Sequence, residues 1–243
     1  MKLYPFNRSA EKIVLNRFTK SEIATAMAVF FHSIGLVGLL FFDKNFFLAA
    51  TPVNLLLSFV LLIWTQTEKN ISFFLFLIIC FTIGISVEII GVNTGILFGD
   101  YTYGNVLGLK VKNVPVLIGV NWFIIIYCCG MSIHTLLMKA INRVAADTGK
   151  RPMALKALSV IIDGATLAVF FDWLMEPVAI KLGYWTWNGD SSIPMLNYIC
   201  WFVISLLLLV VFHVAKFNKQ NKFAVNLLLI QAMFFLLLRT FLK

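Results

Sequence analysis

Apolar positions run through this chain in long blocks, with polar and charged residues confined to short stretches between them. Seven blocks stand out: Ile23 to Phe42, Phe46 to Thr65, Ile71 to Val92, Val114 to Met138, Ala154 to Ile180, Met195 to Ala215 and Phe223 to Leu238. Blocks of about 20 residues match the thickness of a bilayer core when helical, so the pattern predicts seven membrane-spanning helices and an all-α polytopic bundle, read as one transmembrane domain over residues 1–243. The first block is longer than a cleavable signal region and no small-residue cleavage site closes it, so it is expected to remain as a helix. Met1 to Ser21 precedes it as a basic interfacial tail.

Composition strengthens this reading. Of 243 residues, 60% are hydrophobic and 13% charged, against roughly 45–50% and 25% in soluble domains. The 24 Phe and the long apolar runs exclude a disordered chain. A net charge of +9 would suit nucleic acid if it were gathered on one domain, but the cations lie between apolar blocks, where they set topology, so no nucleic-acid partner is expected. The tail carries five Lys and Arg, the loop after the second span one, the loop after the fourth five and the loop after the sixth three, against six on the opposite side. The positive-inside rule then predicts a multi-pass cell-membrane protein with a cytoplasmic N-terminus and an outer C-terminus. Lys216, Lys219 and Lys222 read as a topology anchor.

The two longest loops assigned to the outer side, Asn93 to Asn113 and Lys181 to Pro194, resemble each other. Glu88 is followed 11 residues later by Gly99 and then Asp100-Tyr101-Thr102-Tyr103; Asp172 is followed 11 residues later by Gly183 and then Tyr184-Trp185-Thr186-Trp187. Downstream, Pro115 precedes Trp122 by seven residues and Pro194 precedes Trp201 by seven. Spans three and four and spans five and six are therefore read as parallel internal repeats, with units 88–122 and 172–201 related by a pseudo-two-fold axis along the membrane normal.

That axis would bring Glu88 and Asp172 face to face. An acid at the bilayer centre costs on the order of 2.5–3.5 kcal/mol, less near the interface, so each needs a partner or a function. Glu176 follows Asp172 by four residues on the same helical face, just before Pro177, which is expected to end the helix. Asp163 lies nine residues before Asp172, about half a turn around the helix, and is expected to point elsewhere. Burial and like charge both favour a neutral carboxylic acid, and carboxyl groups held in different states are the usual arrangement for acid–base work. The alternative is a structural set bonded to loop amides or cations.

Two readings also stand for Tyr101, Tyr103, Tyr184, Trp185 and Trp187: an interfacial aromatic belt, or a pocket whose ring faces stabilise a cation. Gly91, Gly95, Gly99, Gly104, Gly108 and Gly183 fit a tight loop dipping toward the membrane and carry no phosphate fingerprint. His32, His134 and His213 are scattered and read as structural, and Cys80, Cys128, Cys129 and Cys200 as buried small hydrophobes; neither set has metal-ligand spacing. A retinal-type pump is excluded because the last span has no Lys for a Schiff base, and polar residues within the spans are too few for an ion path.

Glu88 to Pro115 (EIIGVNTGILFGDYTYGNVLGLKVKNVP) with Trp122, and Asp172 to Trp201 (DWLMEPVAIKLGYWTWNGDSSIPMLNYICW), resemble the carotenoid biosynthesis membrane proteins that include bacterial carotenoid 1,2-hydratases and haloarchaeal bisanhydrobacterioruberin hydratases. The likeness covers about residues 80 to 205. A departure is Glu176, where the family is expected to carry Asp before Pro. The resemblance implies a hydro-lyase that adds water to an acyclic carotenoid end such as that of lycopene. Its catalytic residues would be Asp172, Glu88 and Glu176, with Tyr101, Tyr103, Tyr184, Trp185, Trp187, Trp122, Trp201 and Asn197 around the substrate. No cofactor or metal is implied. The partners implied are the carotenoid from the bilayer, water, membrane lipid and other enzymes of the same pathway. A carotenoid cyclase or isomerase sharing the protonation step, and a pigment-binding or transport protein, are the alternatives.

Overall fold

The structure is a computed structural model that describes residues 18–148, 153–189 and 192–242. Its helices are α1 (Lys20–Phe41), α2 (Lys44–Ala49), α3 (Thr51–Thr65), α4 (Ile71–Thr94), α5 (Leu117–Thr148), α6 (Met153–Lys181), α7 (Met195–Val214) and α8 (Lys222–Phe241). With α2 and α3 taken as one broken span, seven stretches of the described residues are long and apolar enough to cross a membrane. The chain is a multi-pass, all-helical membrane protein. Four short strands lie in the connections: β1 (Tyr101–Tyr103), β2 (Lys110–Val111), β3 (Val114–Pro115) and β4 (Trp185–Trp187).

Local sequence fixes where several helices begin. Thr19 and Glu22 form a capping box at α1, the Glu22 amide donating to Thr19 Oγ1 at 3.2 Å and the Thr19 amide to Glu22 Oε2 at 2.7 Å. Asn70 caps α4 by accepting from the Phe73 amide, and Asn221 caps α8 by accepting from the Phe223 and Ala224 amides. α4 stops at Gly95, which takes a left-handed conformation with φ of 67°.

Three expectations about the elements are corrected. The second span is interrupted at Ala50: Asp43 caps α2, and Pro52 in the first turn of α3 starts a new helix. The fourth span begins at Leu117, because Val114 and Pro115 pair with Val111 and Lys110 as a hairpin. Pro177 does not end its helix, which runs on to Lys181. Proline removes the amide that would bond the carbonyl four residues back, here that of Trp173. Arg239 of α8 supplies the missing donor, its Nη1 lying 2.9 Å from Trp173 O, with its guanidinium 4.0 Å from the Trp173 ring centroid. The basic tail through Arg17 and the 149–152 loop lie outside the described residues.

α6 packs against α5, α7 and α8, while α1 lies across α8 and α3. Gly84 lets α4 approach α5 closely, since a Cβ there would meet the Trp122 side chain at 2.6 Å. At the opposite end from the carboxylates, Tyr127 donates to Gln66 at 2.7 Å and Asn221 donates to Tyr127 at 3.0 Å, tying two connections to the core. The four cysteines are free and buried.

Candidate functional site

β1 and β4, the two aromatic–Thr–aromatic strands, pair antiparallel with Tyr101 opposite Trp187, Thr102 opposite Thr186 and Tyr103 opposite Trp185. The ladder continues on both sides: the Gly104 amide donates to Tyr184 O at 2.8 Å and the Asn188 amide to Asp100 O at 2.9 Å. Alternate residues of a strand point to one face, so the four aromatic side chains turn into the bundle while the two threonines point out. Trp187 and Tyr101 are 5.1 Å apart between ring centroids, and Trp185 and Tyr103 are 5.9 Å apart.

Beneath this lid lie three buried carboxyl groups, with Glu88 on α4 and Asp172 and Glu176 on α6, none more than 5% exposed. Three donors converge on Glu88: Tyr101 Oη at 2.5 Å, Tyr103 Oη at 2.7 Å and Trp122 Nε1 at 3.0 Å. Glu176 receives Trp185 Nε1 at 3.0 Å and Trp187 Nε1 at 3.2 Å. Asn197 of α7 bridges the acids of α6, with its Nδ2 2.8 Å from Asp172 Oδ2 and 3.5 Å from Glu176 Oε1. Burial and the adjacent Glu88 charge push the Tyr101 and Tyr103 phenols well above the usual tyrosine range, so both remain protonated donors.

The three carboxyls share a cavity of about 30 Å³, room for about two waters. Trp122, Trp201, Tyr101, Tyr103, Trp185, Trp187 and Asn197 also line it, so the structure gathers ten of the eleven residues named from the sequence. Tyr184 is the exception. It turns away from the acids to face a second cavity, with its hydroxyl 3.0 Å from Thr51 Oγ1. Asp163 is exposed on the far side of α6.

Phe98, Ile118, Asn121 and Met175 complete the wall and were not foreseen. Asn121, a polar residue inside an apolar span and next to Trp122, was the signal available for one of them. Met175 sits between two acids in sequence but has no polar atom to mark it. Among the described residues no three His, Cys, Asp or Glu side chains are grouped as a metal ion would require.

The second cavity, of about 480 Å³, is bounded by α1, α2, α3, α5, α6 and α8 and is lined mainly by Phe, Leu and Ile. Ile118, Asn121, Met175 and Trp185 border both cavities, so a thin wall separates an apolar chamber from the acids.

Fold and site together define a polytopic membrane protein with a buried acid cluster beside a greasy chamber. Residues 48–243 match the family described as carotenoid biosynthesis protein, and the chain belongs to that family. Among curated relatives it is similar to a bisanhydrobacterioruberin hydratase of Haloarcula japonica, 26% identical over 200 residues, which cover 76% of this chain and 60% of the relative. The match thus spans less than two thirds of that relative's length. No solved structure matches the chain significantly.

Proposed function

We propose that this protein is a carotenoid hydratase that adds water across the terminal isopropylidene double bond of an acyclic carotenoid end, giving a tertiary alcohol. The observation that carries the reading is the enclosure of three carboxyl groups by aromatic rings, against a chamber suited to hydrocarbon, in a chain of the carotenoid biosynthesis family. The similarity to a protein named as a hydratase supports the same reaction class.

Hydration needs a proton on the less substituted alkene carbon and a water oxygen on the tertiary cation that results. Asp172, contacted only by Asn197 among the hydrogen bonds to its carboxyl, is the acid that gives the proton. Glu88 accepts three hydrogen bonds and takes the proton lost by water as its oxygen bonds to the cation. The proton then returns from Glu88 to Asp172 through cavity water or Glu176, restoring both groups. The aromatic rings lining the cavity shelter the cation, at about 0.5–2 kcal/mol for each ring face that reaches it. This reaction uses no metal, nucleotide or flavin. By the charge distribution, the N-terminus is cytoplasmic and the acid cluster lies toward the outer face.

The test is pigment mass in cells that accumulate lycopene and express the chain. A gain of one water per reacted end is expected. Asp172→Asn and Glu88→Gln, corrected for folded protein, should each lower conversion by about 10²-fold or more if they move protons. An isomer of unchanged mass would make the protein a cyclase; unchanged pigment would make it a binding or transport protein. Wild-type conversion by both amide variants would mean that the carboxylates are structural.

A further inference from the structure

The acid cavity is too small for the reaction assigned to it. At about 30 Å³ it holds water, whereas the five-carbon isoprenoid unit at the end of the chain is several times larger, so the reacting end must arrive by displacing part of the wall. The chamber on the other side, at about 480 Å³, is within the range of pockets that bury organic ligands. Its rim includes Phe46 and Val53, each 68% exposed on the membrane-facing surface of the broken second span. An apolar chamber that opens through exposed apolar residues of spanning helices receives its ligand from the bilayer, not from water.

Resting on the hydratase reading, we propose that this chamber is the substrate channel. The polyene enters sideways from the membrane past Phe46 and Val53, its chain lies between α1, α3 and α8, and its terminal double bond reaches the acids where Met175 now stands. Met175 is the member of the shared wall best able to yield, because its unbranched side chain has three rotatable bonds, while Ile118 is branched at Cβ and Trp185 is held by its bond to Glu176. It is also placed between Asp172 and Glu176, so the space it vacates adjoins both acids. The break at Ala50 contributes as well, since the connection between α2 and α3 lines the chamber instead of closing it with a continuous helix.

The experiment exploits the buried state of all four native cysteines, which leaves an introduced surface thiol as the preferred labelling site. Val53→Cys protein is folded, reconstituted with carotenoid, and compared before and after reaction with a bulky maleimide; Leu207→Cys, exposed on α7 away from the chamber, controls for labelling itself. Labelling Cys at position 53 should reduce pigment uptake and conversion about tenfold or more, and labelling at 207 should not. Equal uptake before and after labelling at 53 would overturn the channel. Met175→Phe, which replaces the flexible side chain with a stiffer, bulkier one, should keep bound pigment but lose conversion about tenfold, with Met175→Leu restoring it. Wild-type conversion by Met175→Phe would overturn the gate. Asp172→Asn separates the readings: it should bind pigment normally without converting it, and if it converts at the wild-type rate the hydratase reading fails whatever the labels show.

Discussion

Trp122 and Trp201 stack face to face, with ring centroids 4.0 Å apart and planes 12° from parallel. They occupy matching places in the two acid–loop–Pro–Trp segments, and the β1–β4 register is symmetric about Thr102 and Thr186, whose hydroxyls are 3.2 Å apart. Like residues meeting like residues is what a two-fold axis produces, and we propose that 88–122 and 172–201 are internal repeats about an axis through this stack. The symmetry breaks where chemistry needs it to. In the first unit the strand aromatics bond Glu88, but in the second they bond Glu176, leaving Asp172 to Asn197. One extra acid thus gives two equivalent carboxyls unequal surroundings.

Trp122→Phe keeps most of the stacked ring and deletes one donor to Glu88. A buried acceptor deprived of a partner costs about 1–3 kcal/mol, so thermal unfolding in detergent should occur at a lower temperature. Trp201→Phe removes no hydrogen bond to Glu88 and should cost less. Equal stability of Trp122→Phe and wild type would mean that the indole bond contributes nothing.

Gly104→Ala should loosen the lid. A Cβ at this position would lie 2.0 Å from Gly183 O, a backbone atom that cannot swing away, so β1 and β4 must separate. Overpacking of this kind costs about 1–3 kcal/mol, and conversion should fall with it as the aromatic donors leave the acids. Unchanged conversion would show that the strand pairing does not hold the site together.

Much of this was legible because bilayer insertion leaves a coarse signature. Blocks of apolar residues marked all seven spans, and the intramembrane acids with their spaced aromatics marked ten of the lining residues, since an acid in hydrocarbon must be explained. What the sequence hid depends on tertiary partners. Pro177 alone argues for a helix end, and only Arg239, 62 positions later, shows why the helix continues. Tyr184 fits the aromatic pattern, but it stands just before β4, and its hydroxyl turns from the acids toward Thr51. Met175 carries no chemical label, and its role at the shared wall follows from cavity shape.

The Arg239–Trp173 contact yields a double-mutant test. Arg239→Met should destabilise the protein by about 1–3 kcal/mol because Trp173 O loses its donor. Pro177→Ala restores an amide that can bond the same carbonyl, so Arg239→Met should cost less in that background. Identical costs in the two backgrounds would show that the guanidinium acts through the Trp173 ring alone.

Tyr101 and Tyr103 predict a dependence on alkaline pH. Their folded pKa values are raised, by burial first and then by the Glu88 charge, above the ordinary value near 10. The fold therefore favours the neutral phenols, and their contribution to stability is complete below about pH 10 and is lost as the pH rises through the folded values. The advantage of wild type over a Tyr101→Phe/Tyr103→Phe variant should shrink above that pH. Phenolate absorbance gives an independent reading. Near pH 11 the folded wild type and the double variant should show the same phenolate signal, and only on denaturation should the wild type exceed the variant by two tyrosines. If the folded wild type already shows the extra phenolates, these hydroxyls are not the buried donors to Glu88 that the site requires.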